Sequence, residues 1–126
     1  MIDRKPRPVY LDLRRIRLPV TAWVSLGHRV SGVFLFLALA PGLWLLQRAL
    51  EGPEGYADAR AWLSSAAGRL FLVGLAWSLA HHVFAGLRVL LLDLHVGVSL
   101  PQARASAAVS MGLGIAVLFM SLVLLW

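Results

Sequence analysis

The sequence predicts an all-α membrane protein with three transmembrane helices, and its composition and the spacing of its apolar segments support that prediction. Hydrophobic residues make up 60% of the 126 residues and charged residues only 14%. A soluble domain is about half apolar and a quarter charged, so this chain has too little polar surface to cover a water-soluble particle. Three apolar segments each reach the roughly 18–20 residues that cross a bilayer as a helix.

The predicted spans lie at about 20–50, 68–93 and 105–126. Pro19 precedes the first span, where its missing N–H suits a helix start. Arg69 and Arg88 bound the uncharged part of the second span, and the third has no charge over its twenty-two residues. The two connections are too short to form domains. We therefore expect a single membrane-anchor domain over 1–126, in which 1–19 is a basic segment outside the bilayer.

The distribution of basic residues predicts the orientation. Nine Lys and Arg fall on the N-terminal side of the bilayer, including six within the first seventeen residues, against three on the other side. Basic residues stay on the cytoplasmic side, so we expect a cytoplasmic N-terminus. Basic tails also occur in nucleic-acid-binding proteins. Beside three apolar segments the membrane explains the charge, and we expect no nucleic-acid partner.

A three-helix chain of this size has little room for a complete site of its own. Small residues recur along the spans and would let further helices approach closely. They are Gly32, Gly68, Gly74, Ala85, Gly86, Gly112 and Gly114. We therefore expect a subunit of a heteromeric helix bundle.

Two adjacent histidines, His81 and His82, lie inside the uncharged segment 70–87. An ionisable residue within a span is a functional-site hypothesis, and the alternative is a neutral imidazole hydrogen-bonded within the bundle. Neighbours on a helix point about 100° apart, so only one can face a given small ligand. Zinc needs three or four ligands, whereas haem iron needs one or two axial ligands. Haem therefore fits better, and Gly86, one turn after His82, would leave room for the porphyrin.

Two axial imidazoles must lie at one depth, on opposite faces of the iron. His28 lies at the cytoplasmic end of the first span, and His95 lies beyond Asp93 at or past the interface. We expect both to be too close to the membrane edge to oppose His82. Any second axial ligand is then expected from a partner chain.

A polar face is predicted at the start of the first span. Its members, Ser25, His28, Arg29 and Gly32, follow i, i+3, i+4, i+7 spacing. Arg29 could pair with a haem propionate, and Ser25 with Arg29 could hydrogen-bond a quinone carbonyl. The alternative is that Arg29 reaches lipid phosphate and the rest packs helices. For Arg88 and Asp93, an interfacial anchor and a role in the site remain equally open.

These residues form two long motifs. The first span contains P-x-x-A-x-x-S-x-x-H-R-x-S-G from Pro19, and the second contains H-x-x-x-G-x-R-x-x-x-x-D from His82. With the preceding RPVYLDLRR, they give a sequence that resembles the cytochrome b membrane-anchor subunit of succinate dehydrogenase, respiratory complex II, over nearly the whole chain.

The resemblance implies a four-subunit complex of the bacterial-type inner membrane. A flavoprotein subunit oxidises succinate, an iron–sulfur subunit carries the electrons, and two small anchors share haem b and reduce ubiquinone or menaquinone. The chain itself would perform no succinate chemistry. His82 is similar to the axial ligand of the haem iron, Ser25 and Arg29 resemble quinone-binding residues, and His28 and Arg29 resemble haem propionate contacts. The second axial histidine would come from the other anchor.

Two positions depart from the family pattern. Val89 stands where the family commonly has a histidine, and His81 stands where an aromatic residue is frequent. The sequence assigns no role to His81. Two alternatives also remain: a fumarate reductase anchor, whose electrons run in the other direction, and a haem-free structural anchor.

Overall fold

A computed structural model describes residues 16–126, and this part of the chain folds as a bundle of helices. The helices are α1 (Val20–Leu50), α2 (Pro53–Ser64), α3 (Ala66–Asp93) and α4 (Leu100–Leu125). Helices α1, α3 and α4 are long and apolar enough to cross a membrane, which confirms the predicted fold class. Most of the predicted basic segment 1–19 lies outside the described residues.

The connection between α1 and α3 contains a helix, α2, that was not predicted from the sequence. Gly52, with φ of 134°, turns the chain after α1, and Pro53 then occupies the first turn of α2, where its fixed φ suits a helix start. Arg48 of α1 donates to the carboxylate of Asp58 at 2.8 Å, which ties the two helices together. Ser65 ends α2 and caps α3, because its hydroxyl accepts from the backbone N–H of Gly68 at 3.1 Å.

Helix α4 begins at Leu100, five residues before the predicted boundary of 105. Ser99 stands at its N-cap in an extended conformation and a proline follows in the first turn, a pattern typical of helix starts. Positive φ angles at His95 (61°) and Gly97 (75°) reverse the chain between α3 and α4. The short turn makes α3 and α4 antiparallel neighbours.

Small side chains form the centre of the bundle, and α3 packs against both α1 and α4. On α1 the buried residues recur every seven positions, at Val24, Ser31, Ala38 and Leu45. The buried residues of α4 have even smaller side chains: Ala107, Ser110, Gly114 and Ser121. Large apolar side chains lie mainly on the outside. This arrangement is typical of membrane bundles, where close packing of small residues, not burial of apolar area, holds helices together.

Candidate functional site

His82 lies in the groove between α3 and α1, where its imidazole packs beside that of His28. The two ring centroids are 4.2 Å apart, with 33° between the ring planes. The Nδ1 atom of His82 is 3.1 Å from the backbone carbonyl oxygen of His28 and 3.3 Å from Oγ of Ser31. A carbonyl only accepts, so Nδ1 of His82 is the donor and carries the proton. Nε2 then keeps its lone pair, which is how second-shell hydrogen bonds prepare a histidine for a metal.

Two residues of α1 complete the cradle around His82. Ser31 is fully buried, and its hydroxyl donates to the same carbonyl oxygen of His28 at 2.9 Å. A Cβ at Gly32 would lie 3.0 Å from Cε1 of His82, so glycine leaves the space that the imidazole occupies. The role of Ser31 was missed in the sequence. Its i+3 spacing from His28 was the available signal, because serine hydroxyls often return to a carbonyl one turn earlier.

The expectation that His28 lies too near the membrane edge to reach the depth of His82 was wrong, because their rings are in contact. His28 lies eight residues into α1, which begins at Val20, and eight residues rise about 12 Å. The two rings are nevertheless too close together to hold an iron between them. Two metal–nitrogen bonds of about 2 Å separate the coordinating nitrogens by roughly 4 Å, and the centroids by more. A second axial ligand from another chain stays a prediction.

His81 points into the interior of the bundle, away from this groove. It is 4% exposed and stacks on Trp77 with centroids 5.5 Å apart and 17° between planes. A Cβ at Gly27 of α1 would lie 2.6 Å from its Nε2, and a Cβ at Gly114 of α4 would lie 3.0 Å from its Nδ1. Within residues 16–126, Nε2 of His81 has no hydrogen-bond partner. The adjacent histidines therefore occupy different environments.

The predicted polar face of α1 divides between two surroundings. His28 and Gly32 are half-buried against α3, whereas Ser25 and Arg29 are exposed beside them. A Cβ at Gly86 would lie 3.4 Å from Nε2 of His28, so the space expected for a porphyrin over Gly86 borders the His28 ring. Ser25 and Arg29 are left open to a ligand or a neighbouring chain.

Arg88 packs against α4. Its Nε donates to the hydroxyl of Ser106 at 3.2 Å and its Nη2 to the carbonyl of Ala103 at 3.2 Å. These contacts favour a role as an anchor between α3 and α4. Val89, where the family commonly has a histidine, is 41% exposed.

The described residues contain no cluster of three or more His, Cys, Asp or Glu side chains able to hold a metal ion. A groove of about 640 Å³ elsewhere is lined by residues of α2 and the adjoining ends of α1, α3 and α4, and it contains none of the predicted site residues.

Fold and site together define a multi-pass membrane protein with a half-buried histidine, His82, whose Nδ1 donates to a backbone carbonyl of the neighbouring helix. The chain matches the profile of the family described as succinate dehydrogenase/fumarate reductase transmembrane subunit over residues 3–123. The succinate dehydrogenase cytochrome b556 subunit of Coxiella burnetii is 36% identical over 107 residues, covering 80% of this chain and 82% of that protein. The subunit of the same name from Paracoccus denitrificans is 34% identical over 110 residues, which cover 84% of this chain and 82% of that protein.

The chain therefore belongs to the family of succinate dehydrogenase/fumarate reductase transmembrane subunits, as its motifs predicted. With its bacterial relatives and three apolar helices, it is a multi-pass protein of the bacterial inner membrane.

Proposed function

We propose that this chain is the haem b-binding anchor of a succinate dehydrogenase and forms part of its quinone-reduction site. The observation that carries the proposal is the hydrogen bond from Nδ1–H of His82 to the carbonyl of His28, at 3.1 Å. It leaves Nε2 of a half-buried imidazole as an electron-pair donor at the edge of the bundle. The name cytochrome b556 carried by both relatives supports the same assignment.

The residues present fit a haem. His82 would be an axial ligand, and His28 and Arg29 would contact the propionates, since a guanidinium binds carboxylates through charge-assisted hydrogen bonds. A bound haem b would accept and return single electrons. The chain offers one prepared imidazole, so the second axial ligand would come from a second small anchor subunit. The flavoprotein and iron–sulfur subunits would supply the electrons.

Ser25 and Arg29 would bind the quinone. Both are exposed on α1, one turn apart, beside the imidazole groove. The Ser25 hydroxyl would donate to a quinone carbonyl oxygen and orient the ring. Arg29 would stabilise the negative charge that develops on that oxygen during reduction, an electrostatic contribution to the rate. With the N-terminus in the cytoplasm, this edge lies near the cytoplasmic surface and protons would enter from there.

The haem assignment is tested with the same substitution at both neighbouring histidines in the purified complex. His82→Leu should abolish the reduced b-type absorption bands, because an aliphatic side chain cannot bind iron. His81→Leu should retain b-type bands at a lower haem content than the unmodified complex, because no iron ligand is lost but leucine does not reproduce the imidazole ring. Loss of the bands in His81→Leu with retention in His82→Leu would reverse the assignment. Absence of b-type bands from the unmodified complex would favour a haem-free structural anchor.

The quinone assignment is tested by comparing two electron acceptors. Ser25→Ala and Arg29→Ala should slow succinate-dependent quinone reduction but leave reduction of an artificial dye at the succinate-oxidising subunits unchanged. Leu39→Ala, at an exposed position farther along α1, is the control and should affect neither rate. Equal loss of both activities would indicate an assembly defect and would count against the proposal.

The family description also includes fumarate reductases, in which electrons would run from quinol to fumarate. The names of both relatives favour succinate oxidation. The ratio of succinate:quinone to quinol:fumarate activity in the same complex decides the direction.

A further inference from the structure

The buried imidazole of His81 lies between the two helices that flank α3. Its Nε2 faces Gly27 of α1 and its Nδ1 faces Gly114 of α4, at 2.6 and 3.0 Å from the positions that a Cβ would take. Real Cβ atoms do not tolerate the first distance, and the second is tighter than ordinary contact. The ring therefore fills the gap between two glycines, and any added carbon on either side would displace it.

The hydrogen bonding of Nε2 does not explain the burial of His81. Nε2 has no hydrogen-bond partner among residues 16–126, and an unpaired polar atom in a bundle interior is unfavourable. Its ring stacks on Trp77 of its own helix, so this contact moves with α3 and does not fix α3 against its neighbours. The close approaches to other helices are those to Gly27 and Gly114, and the ring also borders a groove between α1 and α4. What His81 supplies to the packing is thus the shape of its ring.

A ring held between α1 and α4 at position 81 also affects the direction of the His82 side chain. The two side chains leave α3 about 100° apart, so fixing one ring between α1 and α4 fixes the direction of the other. Side chains extend about 5–6 Å from a helix axis, so a 10° rotation of α3 moves the His82 ring by about 1 Å. That shift is enough to break the 3.1 Å hydrogen bond from His82 to the carbonyl of His28, because such bonds require about 2.7–3.2 Å.

We propose that His81 is a positioning residue whose ring, wedged between Gly27 and Gly114, sets the rotation of α3 that presents His82 to haem. This inference rests on the proposed haem function. It differs from a ligand role because it depends on the volume and shape of the side chain, and not on a nitrogen lone pair.

The test uses glycine pairs on the same helices in the complete, purified complex. Gly27→Ala on α1 and Gly114→Ala on α4 should lower haem content and shift the reduced absorption bands, with the larger effect at Gly27. Their controls are Gly42→Ala on α1 and Gly112→Ala on α4, where a Cβ would meet nothing within 4 Å. Both controls should match the unmodified complex. Spectra of Gly27→Ala indistinguishable from those of Gly42→Ala would overturn the proposal.

Exchanging side-chain size between positions 27 and 81 distinguishes a packing role of His81 from a role as an iron ligand. His81→Ala should also lower haem content, because it empties the space between the glycines, and Gly27→Ala combined with His81→Ala should recover part of the loss. Neighbouring substitutions that share one space are expected to be non-additive in this way. Recovery should appear in haem content, in band position and in the thermal midpoint of the complex. A double variant whose loss of haem equals the sum of the losses in the two single variants would contradict the packing role of His81.

The haem proposal fails independently of this one. It fails when His82→Leu retains haem, whatever the glycine variants do. The wedge fails when His82→Leu loses haem but Gly27→Ala behaves like its control.

Discussion

Gly32→Ala is expected to weaken haem binding without unfolding the bundle. The new Cβ would lie 3.0 Å from Cε1 and 3.4 Å from Nδ1 of His82. Carbon atoms pack best at about 3.5–4.0 Å, so the ring must withdraw by about 0.5–1 Å. That movement lengthens the bond from Nδ1 to the His28 carbonyl beyond hydrogen-bonding range. Loss of such an outer partner typically lowers metal affinity about 10–100-fold.

Two opposing effects of Gly32→Ala act on the stability of the bundle. Alanine in place of glycine favours a helix by about 1 kcal/mol, whereas overpacking against the imidazole costs about 1–3 kcal/mol. The two terms nearly cancel at the lower end of that range, so the thermal midpoint should change little. Haem affinity has no compensating gain and should fall.

The assay is a haem titration of the complex purified under haem-limited growth, followed by absorbance. Gly42→Ala is the control, because it adds the same methyl to the same helix where nothing lies within 4 Å. An affinity for Gly32→Ala within about two-fold of the control, well below the expected range, would refute the reasoning. His82 would then not be held for haem by α1.

Two further predictions concern the packing role of Arg88 and the orientation of the chain in the membrane. Arg88→Gln should destabilise the complex by about 1–2 kcal/mol, as expected for two long hydrogen bonds from a charged donor, and thermal denaturation would measure the change. Its reduced haem spectrum should be unchanged, and a shifted spectrum at unchanged stability would assign Arg88 to the site. The chain contains no cysteine, so single cysteines report orientation. A membrane-impermeant maleimide added to spheroplasts should label Ala57→Cys in α2 and not Val98→Cys in the α3–α4 turn, and the reverse pattern would invert the predicted topology.

The three spans could be predicted because the bilayer imposes a length and an apolar composition that are visible in the sequence. Helix α2 could not be predicted on the same basis, because it is short, polar and stabilised by partners such as the Arg48–Asp58 pair. Its glycine and proline at the start suggested a loop as much as a helix start.

The candidate site was only partly predictable, for a different physical reason. Helix geometry showed that His81 and His82 could not face one ligand, but not which neighbours each would meet. Counting residues to the membrane edge misplaced His28, because depth in a bundle depends on how antiparallel helices slide past each other. That register is set by contacts between distant positions, here the approach of His82 to the carbonyl of His28.

The difference between the two histidines bears on the proposed second anchor subunit. Nε2 of His81 is buried and lies against Gly27 of α1, so a porphyrin could bind this atom only by displacing α1. His82 is half-buried against α1, on which Ser25 and Arg29 are exposed, so a flat ligand could approach this side of the bundle from outside. A ligand on that side has one face against this chain and one face open. A partner helix that supplies the opposing imidazole would cover the open face, so haem binding and subunit assembly are expected to depend on each other.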